Sequence, residues 1–150
     1  MNLGDLLFGA RPRKRRLITA PPRGVRWRSV RPRSDVPAAR AWTAESEHVI
    51  DTGGARMEAH PGDMVVEHRN GDKSVVRPDI FAQTYDALGG GLYRKRDDIV
   101  LRYFTLAEPA LIETLEGPQP ADPGDWIMQG VNGELWPVER EQARHKYIEV

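Results

Sequence analysis

The chain has 150 residues, 39% of them hydrophobic, and no cysteine, which excludes a disulfide scaffold and thiolate zinc sites. Its net charge of zero conceals a split: residues 1–40 carry 11 Lys/Arg against 2 Asp/Glu, and residues 41–150 carry 11 against 20. No stretch approaches the roughly 18 apolar residues that cross a bilayer, and the positive charges follow the short run Leu6-Leu7-Phe8, the reverse of a secretory signal, so a cytoplasmic setting is expected.

The first ten residues place Leu3, Leu6 and Leu7 at i, i+3 and i+4 with Phe8 beside them. A short helix with that face suits an anionic membrane surface or a groove on a protein partner. Arg11, Arg13, Lys14, Arg15, Arg16, Arg23, Arg26, Arg28, Arg31 and Arg33 follow, broken by Pro12, Pro21, Pro22 and Pro32. Arginine and proline at this density disfavour a helix and an independent core, so residues 1–37 are expected to form a basic arm outside the folded body. Guanidinium groups grip phosphate oxygens in pairs, and Trp27 stands between Arg26 and Arg28, where a ring could stack. The arm therefore predicts contact with a polyanion, nucleic acid first, or docking on the chain's own acidic part.

The rest of the chain repeats itself. Residues 40–87 compared with 102–149 at a shift of 62 give twelve identities without a gap, where chance gives about three. They include Ile50/Ile112, Pro61-Gly62-Asp63/Pro123-Gly124-Asp125, Asn70-Gly71/Asn132-Gly133 and Tyr85/Tyr147. In the first copy, 38–88, strands are predicted at 38–43, 47–52, 64–67 and 74–77. Pro-Gly-Asp supplies a type II turn, because proline presets φ and glycine takes the positive φ that follows. Asn70-Gly71 predicts a hairpin with a type I′ turn. Pro78-Asp79 starts a short helix that places Phe81 and Tyr85 four apart. Gly89-Gly90-Gly91 reads as a flexible joint in a linker over 89–97. The second copy, 98–150, predicts strands at 99–105, 111–115, 126–129 and 135–138 and a helix over 139–146. A single unit of about 60 residues is marginal alone, so the expected fold is α+β, mostly β, with two tandem modules of hairpin plus short helix packed pseudo-symmetrically.

Pro123-Gly124-Asp125-Trp126-Ile127, Gly130, Asn132-Gly133-Glu134, Trp136-Pro137-Val138 and Tyr147, with Thr114-Leu115-Glu116-Gly117 upstream, resemble the PGDYG-type domain of bacteria and phages. The likeness spans 98–150, and 38–87 more loosely, where Ser74-Val75 replaces the aromatic-Pro pair and His68 replaces Gly130. It implies a fold and no catalytic residues, since the family has no established activity.

Catalytic chemistry finds little footing. The histidines His48, His60, His68 and His145 lack a zinc spacing, although His60 and His68 flank one strand. Asp63 and Asp125 suit turn completion better than general-base work, and no nucleophile elbow or phosphate loop is present. Trp126 and Trp136 are expected to pair across a hairpin. The sequence thus reads as a non-enzymatic binding or assembly module without metal or cofactor, its arm on a polyanion. The alternative is a structural or accessory component of a bacterial or phage assembly, with Leu3, Leu6, Leu7 and Phe8 against a protein or membrane.

Overall fold

The computed structural model describes residues 14–51 and 56–150. Among them the chain is α+β and mostly β. The leader forms β1 (Arg16–Ile18) and β2 (Arg28–Pro32). Next come β3 (Ala39–Thr43), the paired β4 (His48–Asp51) and β5 (Arg56–Ala59), the paired β6 (Met64–Glu67) and β7 (Lys73–Val76), and helix α1 (Pro78–Thr84). A hairpin of β8 (Tyr85–Gly89) and β9 (Leu92–Lys95) follows. The remainder supplies β10 (Leu101–Phe104), β11 (Ala110–Thr114), β12 (Gly117–Ala121), β13 (Trp126–Gln129), β14 (Leu135–Val138), helix α2 (Arg140–Lys146) and β15 (Tyr147–Glu149).

Two five-stranded sheets have the orders β7-β6-β3-β9-β8 and β14-β13-β10-β2-β15. β9 lies between β3 and β8, and β2 lies between β10 and β15, antiparallel to both neighbours in each case. The β4–β5 pair packs on the first sheet through Ala59, Ile50 and Met57 against Val65 and Val75. On the second sheet, β11 and β12 gain a third strand, because β1 pairs parallel with β11. Ile18, Ile112 and Ala121 there meet Phe104, Ile127 and Leu135 in one apolar cluster.

The expectation that residues 1–37 stay outside the folded body is therefore corrected for the described part of the leader. Val30 is fully buried and Ile18 is 4% exposed, each worth about 1.5–3 kcal/mol of transfer from water. A gap between β10 and β15 leaves two rows of backbone groups to be paired, and β2 satisfies both. Pro32, which has no N–H to give, ends the strand opposite Tyr147.

The expected linker is corrected too. Gly89, Gly90 and Gly91 all have positive φ and make the tight reversal from β8 to β9, and the rest of 89–97 contains a paired strand. Glycine serves here for its backbone angles and not for flexibility.

Both Pro-Gly-Asp segments form the expected turn. Gly62 and Gly124 have φ of 94° and 86°, and the N–H groups of Asp63 and Asp125 donate to the carbonyls of His60 and Asp122 at 3.0 Å. The Asn-Gly hairpins differ from expectation. No residue other than glycine has positive φ among the described residues, so Asn70 and Asn132 cannot occupy a type I′ turn. His68 N–H donates to Asp72 O and Gly71 N–H to His68 O, which is a three-residue loop closed by a glycine bulge.

The helices begin differently. Pro78 occupies the first turn of α1, while Glu139 caps α2 by accepting from the N–H groups of Glu141 and Gln142. Phe81 and Tyr85 stack at 4.5 Å, as their spacing predicts, although Tyr85 already belongs to β8.

Candidate functional site

The leader's cations divide into two groups. Three hold the leader in place. Arg15 donates to the carbonyls of Ala121 (2.6 Å) and Ala110 (3.3 Å) and pairs with Asp122 at 2.8 Å. Arg28 meets Glu149 at 3.2 Å, where the Tyr103 hydroxyl also donates. Arg33 donates through Nε to Arg144 O and through its backbone N–H to Lys146 O. Positive charge from the leader is thus partly matched by carboxylates and helix-end carbonyls of the same chain.

The second group points outward. Lys14, Arg16, Arg23 and Arg26 are exposed and Arg31 is half-buried. None of these side chains makes a hydrogen bond or ion pair with another described residue. Arg31 and Arg102 lie on the same face of their sheet, by the register that sets Arg102 opposite Ser29. Trp27 is half-buried: Phe104 meets it edge-on at 5.2 Å and the Arg102 guanidinium lies over its ring at 3.9 Å. Arg11, Arg13, Leu3, Leu6, Leu7 and Phe8 lie outside the described residues.

The two histidines that flank β6 have separate partners. His60 meets Glu47 at 3.1 Å, whereas His68 meets the Ser74 hydroxyl at 3.1 Å. Asp63 and Asp125 each turn a carboxylate oxygen back to their own turn, onto the N–H groups of His60 (2.9 Å) and Asp122 (2.8 Å). Trp126 and Trp136 do not stand opposite each other across their hairpin. Trp126 lies opposite Val138 and stacks on Tyr103 at 3.8 Å, and Trp136 lies opposite Met128.

A feature absent from the sequence reading lies between the two five-stranded sheets. A cavity of about 540 Å³ takes its walls from both sheets, both helices and the β11–β12 turn. At one end, Lys95 on β9 donates to the hydroxyl of Tyr147 on β15 at 2.7 Å. Its ammonium sits 5.2 Å from the Tyr147 ring centre, 5.5 Å from Trp136 and 6.0 Å from Tyr85. Strand register explains the arrangement, since Tyr85 stands directly opposite Lys95. Burial works against the Lys95 charge, but the oxygens of Tyr147 and Tyr85, with Glu134, outweigh it and hold the pKa above the ordinary lysine value.

Two further groups share that end. Burial, then repulsion from Lys95, lowers the Lys146 pKa to about 8. Burial, then Lys146 and Lys95, lowers His68 to about 4, so its imidazole is neutral at pH 7. Glu116, in the β11–β12 turn, also lines the cavity. Burial raises its pKa to about 7 against the opposing pull of Arg77. Its Oε2 is buried without a hydrogen-bond partner among the described residues, an uncommon state for a carboxyl oxygen.

No family model matches the chain, and no curated protein or solved structure matches it. Among the described residues no helix is long and apolar enough to cross a membrane.

Proposed function

We propose that this protein is a non-enzymatic binding module, built from two copies of one β-rich unit, that takes a polyanion on the cationic face of its leader, with nucleic acid as the first candidate. The observation that carries the reading is the set of outward cations Lys14, Arg16, Arg23, Arg26 and Arg31, unpaired with described residues and flanked by strands that fix the backbone. Such a surface is preorganised, so binding orders fewer groups than a free tail would. Titration of a short labelled duplex and a single strand at two salt concentrations tests it. Log affinity should fall with log salt with a slope of about −4.5 for the duplex and about −3.5 for the single strand, and R16Q/R23Q/R26Q should flatten it by about 2 to 3. R69Q, on an exposed loop, should leave it unchanged. Absence of binding at low salt, or equal binding by the triple variant, overturns the reading.

Matched hydrogen bonds support the duplicated unit. Arg33 N–H donates to Lys146 O, and Arg96 N–H to Thr84 O, both at 2.8 Å. Gly62 N–H donates to Ala44 O, and Gly124 N–H to Leu106 O. On this reading each unit starts with a strand, β2 or β9, that completes the other unit's sheet. The unit is the one whose second copy resembles the PGDYG-type domain.

One observation favours the assembly reading as an alternative. Val49 on β4 is 52% exposed and Trp42 on β3 is 42% exposed. Among the described residues β4 pairs only with β5, whereas β11, its counterpart in the repeat, also carries β1. An extended apolar segment of a protein partner would fit this edge as β1 fits the other. Partner retention through nuclease and high salt, lost in Val49→Arg, supports this reading; retention unchanged in Val49→Arg removes it.

A further inference from the structure

We propose that the cavity between the two large sheets is a binding site for a small organic anion that also carries a hydrogen-bond donor, its anionic group at the Lys95–Lys146 end and its donor on Glu116. Two independent features point to this chemistry. The first is the accumulation of cationic groups at one end. Lys95 and Lys146 both line the space and repel each other, and His68 beside them is held neutral. The Lys95 ammonium has a neutral phenol as its hydrogen-bond partner, not a carboxylate. An anion between the two lysines relieves their mutual repulsion.

The second feature is the buried Glu116 oxygen. The backbone of Glu116 is fully engaged, its N–H on Thr114 Oγ1 at 3.1 Å and its carbonyl accepting from Glu58 N–H at 2.9 Å. Only the carboxyl is left with an oxygen to satisfy. A hydroxyl or amino group of a ligand supplies the donor that the described residues do not. Trp136 adds an apolar surface for the carbon skeleton, and the volume accommodates a molecule of several to some twenty heavy atoms.

Succinate, L-malate and glycerol separate the two demands. Succinate has the anionic groups alone, malate adds a hydroxyl, and glycerol has hydroxyls alone. Calorimetry on the full chain should show malate binding best, succinate on the order of tenfold weaker, and glycerol not at all. Lys146→Met should weaken malate on the order of tenfold, and Glu116→Met should abolish the preference for malate over succinate. R16Q/R23Q/R26Q should bind malate like the unaltered protein, which separates this site from the polyanion face. Lysine side-chain NMR on the unaltered protein needs no variant: malate should raise the Lys146 pKa from about 8. An unmoved Lys146 titration, or no saturable binding of either acid at tens of millimolar, overturns the proposal.

Discussion

Lys95 and Tyr147 join the two large sheets through one hydrogen bond of 2.7 Å, the ammonium of β9 donating to the hydroxyl of β15. The residues are 52 positions apart, and Tyr147 is the repeat counterpart of Tyr85, which stands opposite Lys95 on the neighbouring strand. The same cation therefore faces both members of a repeated pair and makes a hydrogen bond with only one of them.

Tyr147→Phe should cost about 1.5–3 kcal/mol, because it leaves a partly buried ammonium without its acceptor. Tyr85→Phe should cost less than about 1 kcal/mol, since no hydrogen bond to Lys95 is lost. Lys95→Met should be near neutral, because it removes the charge together with its need for a partner. Urea denaturation of the three variants checks the order. Equal losses in the two tyrosine variants would remove the asymmetry.

Glu116 and His68 predict opposing pH effects. The folded state holds the Glu116 proton up to about pH 7, against 4.5 for the ordinary carboxyl, so its contribution to stability falls as pH rises through that window. Glu116→Gln should therefore gain on the unaltered protein as pH rises from 4.5 to 7, by about 2 kcal/mol after allowance for solvent screening. His68 has its folded pKa lowered to about 4 from 6.5, so stability is lost as pH falls from 6.5 towards 4. His68→Asn should gain on the unaltered protein in that direction. Thermal melts across pH 4–8 read both slopes.

Asp63 is 6% exposed and takes the His60 N–H at 2.9 Å. Asp63→Ala should cost about 1–3 kcal/mol through the unpaired donor it leaves, and Asp63→Asn should recover most of that. Asp125→Ala, in the less buried counterpart turn, should cost about 1 kcal/mol. Chemical denaturation compares the pair, and an equal cost at both turns would show that burial does not set the difference.

Removing residues 1–33 should unfold the second sheet instead of merely weakening binding. The cut takes away Val30 and both rows of hydrogen bonds between β2 and its neighbours, and it removes Ile18 from the cluster around Phe104. Loss of a cooperative melt, followed by circular dichroism, is the expected result. A truncated chain that melts like the full one would mean that β2 is dispensable.

The parts of the fold legible in the sequence are those with local chemistry. The Pro-Gly-Asp turns, β6, β13 and β14 fall where periodicity and turn residues place them. β2 was hidden because Arg28-Ser29-Val30-Arg31-Pro32 contains one apolar residue between two arginines. Its conformation comes from the gap between β10 and β15, and that gap is set by long-range pairing. The three glycines at 89–91 carry the same letters whether they are loose or tightly turned. The cavity was not legible. The identity of Tyr85 and Tyr147 marked a repeated aromatic position, but nothing local joins Lys95, Lys146, His68 and Glu116.

The crossing of β2 and β9 ties the two halves of the chain together. β2 precedes the strands of one five-stranded sheet and is seated in the other, and β9 does the reverse. A cut between β8 and β9 would leave each half with one unfilled slot and one unseated strand, so only the two halves together could rebuild both sheets.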